Sequence, residues 1–215
     1  MANYQRLNAE NAYIWRIVHR QNIPWILDHG LVCANSERLD PNFVPIGNAD
    51  LIDRRAHRVV PIAPGGTLSD YVPFYFTPFS PMMYNIYTGR TVRQQRNEDI
   101  CMLVSTLPVL RQLGIPFVFT DRHAYTQLAR FFSDLGDLDQ VDWPLLQARN
   151  FKRNPDDPEQ IERYQAETLV HRHLPVTGLT AIVCYNEEVK RELEQLAAAR
   201  RLNVTVQALP NWYFQ

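Results

Sequence analysis

The sequence predicts an α+β domain built on a split, mixed β-sheet with flanking helices. Strand-like runs outnumber helical ones and rarely alternate with them in a regular way, which argues against a doubly wound parallel sheet. A length of 215 residues with 46% hydrophobic composition is enough for one domain with one buried core. Fifteen prolines against eight glycines point to rigid corners and long, ordered loops.

Ala12 to His19 is a β-prone run, and Ile23 to Gly30 follows with apolar residues at helical spacing. Pro24 suits a first helical turn and Gly30 a C-terminal stop. His19 and Asn22 then fall at the strand-to-helix turn, where they either face a ligand or simply end the strand and cap the helix. Cys33 to Ser69 reads as a long irregular stretch carrying Arg54, Arg55, His57 and Arg58, with a turn at Pro64-Gly65-Gly66. A basic cluster is most often a solvated face, but loops this long inside compact domains tend to be functional.

Asp70 to Tyr84 is an aromatic strand bracketed by Pro73, Pro78 and Pro81, with a kinked, pre-ordered exit. Its aromatics are core candidates, and those beyond Pro78 also offer stacking surface for a nucleobase or nicotinamide ring. Arg90, Arg93 and Arg96 recur at spacing three in a polar stretch, marking either a phosphate-contacting stripe or a wet face. Ile100 to Thr106 and Pro116 to Thr120 are further strands, and Asp121-Arg122-His123-Ala124 is expected to open a helix through Phe131. Ser133 to Pro158 is rich in Asp, carries Arg149, Lys152 and Arg153, and loses periodicity after Trp143, so it reads as a surface excursion.

The excursion leads to Tyr164-Gln165-Ala166-Glu167-Thr168-Leu169-Val170, where one carboxylate heads an apolar strand. Leu179 to Tyr185 is a strand, and Asn186 caps a helix with Glu187 and Glu188 in its first turn and Arg200 and Arg201 in its last. Leu202 to Leu209 is the final strand.

Several function classes lose their anchors. A net charge of −1 is not that of a protein holding duplex nucleic acid by counterion release. Cys33, Cys101 and Cys184 are far apart, which argues against a disulfide framework or a zinc site, and His171 and His173 lack a third ligand. Met1 to Glu10 is polar, and no apolar run reaches the roughly 18 residues of a membrane span, so a cytoplasmic protein with no membrane partner is expected. GxGxxG, P-loop, HExxH and GxSxG motifs are all missing. What remains is an early His19 and Asn22, arginines in the first third, an aromatic strand and one late glutamate, a spread suited to a cleft between two small sheets.

The segments IWRIVHRQNIPWILDHGL, DYVPFYFTPFSPMMY, VFTDRHAY, DLDQVDWPLLQARNF and YQAETLV, with the terminal WYF, fall in order along almost the whole chain. In this the chain resembles the DarT family of bacterial DNA ADP-ribosyltransferase toxins. The resemblance implies an ADP-ribosyltransferase-like fold, NAD as co-substrate with no metal, transfer of ADP-ribose to a base of single-stranded DNA, typically thymidine, and a macrodomain antitoxin of the DarG type as partner. It implies that Glu167, Arg55 and His123 are catalytic, with Arg54 the alternative to Arg55. His19, Asn22, Tyr71, Phe74 and Tyr75 would line the NAD pocket beside these arginines. Met83, Tyr84, Trp143, Arg149, Lys152 and Arg153 would face DNA, the 133 to 158 excursion being the substrate-recognition loop. The competing readings are a transferase of similar fold acting on another base, RNA or protein, a non-catalytic single-stranded nucleic-acid binding module, and an immunity protein that only binds NAD.

Overall fold

The computed structural model describes residues 4–215; Met1 to Asn3, part of the polar N-terminal stretch, lie outside the described residues. The chain runs β1 (Tyr13–His19), α1 (Ile23–His29), β2 (Leu31–Val32), α2 (Ala49–Ala56), β3 (Tyr71–Tyr75), α3 (Pro81–Thr88), β4 (Ile100–Thr106), α4 (Leu107–Gln112), β5 (Phe117–Thr120) and β6 (Phe131–Phe132). It continues through α5 (Trp143–Ala148), α6 (Gln160–Arg163), β7 (Glu167–His171), β8 (His173–Leu174), β9 (Ala181–Cys184), α7 (Glu187–Ala199) and β10 (Thr205–Ala208). Eight strands form one sheet in the order β10-β9-β4-β1-β3-β7-β5-β6, and β2 pairs with β8 apart from it. Among the described residues only β9 and β10 pair in parallel, so the sheet is mixed, in agreement with the α+β expectation.

The sheet is split in its middle. β1 pairs with β4 over seven residues, but with β3 only at Trp15 and Tyr75. Beyond that pair the two strands diverge, and the space between them is a cleft lined by Arg16, Ile17 and Val18 on one side and Tyr71, Val72, Pro73 and Tyr75 on the other. Strand alternation then decides which side chains meet it. Glu167 opposes Tyr75 and Leu169 opposes Pro73, so Glu167, Leu169, Tyr75 and Tyr71 share a face. Thr168 and Phe74 point the other way, so Phe74, expected in the NAD pocket, does not line the cleft and joins the main core instead.

Local chemistry explains most element ends. Gly30 ends α1 at φ 77°, and a Cβ there would stand 2.5 Å from the Leu174 carbonyl oxygen, so the position needs glycine both for its backbone and for the close approach of β8. Asn186 caps α7 by accepting from the Val189 amide at 3.0 Å, and Val189, Leu193 and Ala197 bury one face at helical spacing. Arg200 and Arg201 fall just past the last helical residue. Arg200 still donates to the Leu196 carbonyl and pairs with Asp28, tying α7 to α1.

Four expectations are corrected. The irregular stretch after Cys33 contains α2, capped by Asn48, whose side chain accepts from the Leu51 amide at 3.0 Å. The aromatic strand does not run on past Tyr75: Ser80 caps α3, which Pro81 opens. Asp121 to Arg130 is not a helix, because its polar groups bond elsewhere. Asp121 accepts from the Arg130 amide at 3.0 Å and from its Nε at 2.8 Å, closing a loop, while the His123 amide donates to the Glu162 carbonyl. The 133 to 158 excursion is partly core, since Leu138, Val141, Trp143 and Leu146 all belong to the main apolar cluster.

Candidate active site

Glu167 stands at the first residue of β7 and is only 2% exposed. Its backbone is fixed on both sides by Thr120, whose hydroxyl lies 3.3 Å from the Glu167 amide and 3.3 Å from its carbonyl. The carboxylate meets three donors. Oε1 accepts from Arg55 Nη1 at 3.0 Å and from the Ala124 amide at 2.8 Å, and Oε2 accepts from Arg55 Nη2 at 2.8 Å. The planar guanidinium thus grips both oxygens, a geometry lysine cannot reproduce. Oε2, with one donor against two on Oε1, has the greater unused acceptor capacity.

These contacts set the charge. Burial pushes the Glu167 carboxyl up, but the Arg55 charge and hydrogen bond, His123 and the Ala124 amide outweigh it, so its pKa lies below the ordinary 4.5 and it is ionised at neutral pH. Burial lowers the His123 pKa below 6.5, against the pull of Glu167, and the ring is neutral. His123 Nε2 lies 3.4 Å from Arg55 Nη1. A guanidinium only donates, so this contact makes Nε2 the acceptor and places the ring proton on Nδ1. Burial and then the Glu167 charge raise the Tyr75 hydroxyl to about 12, and it stays a neutral donor, 3.6 Å from the Met82 sulfur.

The structure therefore brings Glu167, Arg55, His123, Tyr75, Tyr71 and Asn22 to one cleft of about 300 Å³. Arg54 is not part of it: it is exposed and its Nε donates to the Asp50 carbonyl one turn back. Helical phase decides between the two arginines, since neighbours on α2 point about 100° apart. Tyr71 is 2% exposed, and its hydroxyl donates to the Gly65 carbonyl at 2.7 Å. Asn22 lines the cleft, yet its side chain does not cap α1; both of its ends bond the backbone of Val44. His19 does not line the cleft. It is 7% exposed, and its Nδ1 accepts from the Gln21 amide at 3.2 Å, so it ends the strand and caps the following turn.

Most residues expected to face DNA are engaged in packing. Met83 is fully buried. Trp143 donates to the Leu138 carbonyl at 2.7 Å and packs edge-on against Phe76, so its ring is a core element rather than a stacking platform. Arg149 lies 3.4 Å from the centre of the Phe79 ring and donates to the Tyr4 hydroxyl at 2.9 Å, a cation held on aromatics instead of reaching for phosphate. Tyr84 packs on Phe151 and Phe214 with Arg90 over its ring. Lys152 and Arg153 are exposed, and no residue of the 133 to 158 excursion lines the cleft.

Sequence reading missed two features. Arg16 lines the cleft with one bond, to the Pro73 carbonyl at 3.0 Å, and its Nε is buried without a partner. Burial lowers its pKa to about 10, still fully cationic at neutral pH. Its signal was a lone arginine inside an apolar strand. The other is the wall formed by Phe43, Pro45 and Ile46, which has no periodicity to announce it. Among the described residues, no group of three or more His, Cys, Asp and Glu side chains could hold a metal ion. No helix among them is long and apolar enough to cross a membrane.

Comparison with known proteins places the chain in a family. A DNA ADP-ribosyl transferase of Escherichia coli O127:H6 (strain E2348/69) is 53% identical over 209 residues, 97% of this chain and 96% of its own length. The solved structure of Thermus sp. 2.9 DarT in complex with ADP-ribosylated single-stranded DNA matches with a TM-score of 0.88 at 38% identity, covering 95% of this chain and 97% of that one. The same Thermus protein in complex with NAD+ matches with a TM-score of 0.81 at 35% identity, covering 95% of this chain and 98% of that one. The model of the family described as ssDNA thymidine ADP-ribosyltransferase, DarT, matches residues 15–214, and the chain belongs to the DarT family.

Proposed function

We propose that the chain is an NAD-dependent ADP-ribosyltransferase that modifies thymidine in single-stranded DNA and acts as the toxin of a toxin–antitoxin pair. The observation that carries the mechanism is a buried, ionised Glu167 clamped by Arg55 on the wall of the cleft. Breaking the bond between nicotinamide and ribose C1′ sends the electron pair out with nicotinamide and leaves positive charge on the ribose. A carboxylate fixed in advance stabilises that charge where it develops, and its burial strengthens the effect. A ring nitrogen of thymine then bonds to C1′ and gives up its proton.

The roles divide by charge. Pairing with Arg55 weakens Glu167 as a base, so its principal task is to stabilise the cation. His123, neutral, is the proton acceptor, directly or through a relay, once its Nε2 lone pair is released from the 3.4 Å contact with Arg55. Arg55 is committed to Glu167 with two donors, which makes it the residue that holds the glutamate in place. Arg16, with unused donors on the cleft wall, is the cation available to the NAD pyrophosphate. DNA approaches from the mouth beside α2, where Arg54 and His57 are exposed. A macrodomain antitoxin of the DarG type, which removes the modification, is the expected partner, as the family resemblance implies.

Labelled NAD incubated with the protein and, separately, single-stranded DNA, duplex DNA, RNA and protein tests this reading. Label is expected on single-stranded DNA. Label confined to RNA or protein would replace the substrate, and a protein that binds DNA without transfer would leave a binding module.

A further inference from the structure

Asn22 is 1% exposed, and its side chain is spent on one backbone residue: Nδ2 donates to the Val44 carbonyl at 2.9 Å, and Oδ1 accepts from the Val44 amide at 2.8 Å. A primary amide matched to both groups of one residue copies a strand pair, so it fixes the position and direction of the backbone it grips. Residues 41–47 have no regular structure. Among the described residues, the hydrogen bonds that tie this segment to another element are the two from Val44 to Asn22.

The gripped segment is a wall of the cleft. Phe43 and Pro45, on either side of Val44, both line it. Phe43 is 52% exposed, an aromatic side chain at the cleft wall with about half of its surface open, although burial of that surface is favourable. Its place along the cleft is fixed by the strand. Glu167 opposes Tyr75, which pairs with Trp15, whereas Asn22 lies beyond the far end of β1. The four steps along the strand from Trp15 to His19 span about 13 Å at strand rise. Phe43 therefore belongs to the end of the cleft remote from Glu167. With the nicotinamide ribose at Glu167, that end receives the adenosine half of NAD.

We infer that Asn22 is a positioning residue for the dinucleotide, holding Val44 so that the Phe43 ring stacks on adenine. This rests on the reading of the cleft as the NAD site. It differs from a direct contact between Asn22 and NAD, because the oxygen and the nitrogen of the side chain are each already engaged by Val44. It makes Phe43 a ring-recognising residue and Asn22 its anchor.

Calorimetric titration with ADP-ribose, which keeps the adenosine half but lacks nicotinamide, separates the possibilities. Phe43→Ala and Asn22→Ala are each expected to weaken ADP-ribose binding about tenfold, the scale of one lost ring stack. Both raise KM for NAD by a similar factor and leave kcat at saturating NAD within about twofold. Phe43→Tyr, which keeps the ring, binds like the wild type. Asn22→Asp, which keeps the acceptor and loses the donor, falls between the wild type and Asn22→Ala. The double variant binds no more weakly than Asn22→Ala, because a released loop has already lost the stack. Unchanged ADP-ribose affinity in Phe43→Ala overturns the inference, and so does a double variant in which the two losses multiply. Phe43→Ala alters an exposed residue, so the test stands even where Asn22→Ala fails to fold. A wild-type protein that binds neither NAD nor ADP-ribose would instead remove the NAD reading itself.

Discussion

Glu167 is ionised in a place where burial alone would favour the neutral acid, and Arg55 is the reason. Removing one partner of such a pair leaves a charge in a low-dielectric site, a loss on the order of 3–5 kcal/mol. The pair and His123 also give the pH dependence its sign. Glu167 has a lowered pKa, so its contribution to stability is present above 4.5 and is lost only as the pH falls through its still lower folded value. His123 also has a lowered pKa. Its neutral form is favoured in the fold, and the benefit is present above 6.5 and lost as the pH falls through the folded value. The activity of a base with that pKa is expected to be flat above 6.5 and to decline on an acid limb lying below it. Rate measurements against pH on wild type and His123→Gln check this: the variant is expected to be slower by about 100-fold or more and to lose the limb. An unchanged limb in the variant assigns it to another group.

At the scale of elements, the site depends on a weakly held helix. α2 buries none of its residues fully, and its start is set by the Asn48 cap. Asn48→Ala is expected to cost about 1 kcal/mol of helix stability. Because Arg55 rides on the last turn of α2, the loss should appear mainly as reduced transfer, with only a small change in melting temperature; a full loss of fold in circular dichroism would show that α2 is more deeply integrated than its exposure indicates. The same element shows where sequence reading stopped. The strands could be read because alternation and β-branched residues mark them, and α7 because it has a cap, an apolar stripe and acidic residues in its first turn. α2 has no apolar stripe facing a core and sits among turn residues, so periodicity could not find it, although Asn48 three residues before Leu51 is a usable cap signal. The helix expected after Asp121 failed for the opposite reason. Its cap-like aspartate bonds Arg130 and closes a loop, and the Ala124 amide serves Glu167 rather than a helical turn.

Across the whole molecule, the sheet opens between β1 and β3 and the residues of the site converge there from positions 16 to 167. No local pattern encodes such a convergence; Glu167 acquires its meaning only when β7 lies beside β3 and α2 folds over it. The family resemblance supplied the glutamate, the histidine and the neighbourhood of the arginine, but not their contacts, and it assigned to DNA several side chains that hold the core. Trp143 is the clearest case. Trp143→Ala is expected to cost about 3 kcal/mol or more by opening a cavity against Phe76, lowering the melting temperature, while the DNA affinity of the folded fraction stays unchanged. A selective loss of DNA affinity at unchanged stability would return it to the interface. The central claim, that Glu167 drives transfer of ADP-ribose to thymidine, is tested most directly by mass spectrometry of a short single-stranded oligonucleotide after incubation with NAD. Wild-type protein is expected to add one ADP-ribose, to lose that product when the modified thymidine is replaced, and to slow by at least about 100-fold in Glu167→Gln. Full modification by Glu167→Gln, or of an oligonucleotide without thymidine, would contradict it.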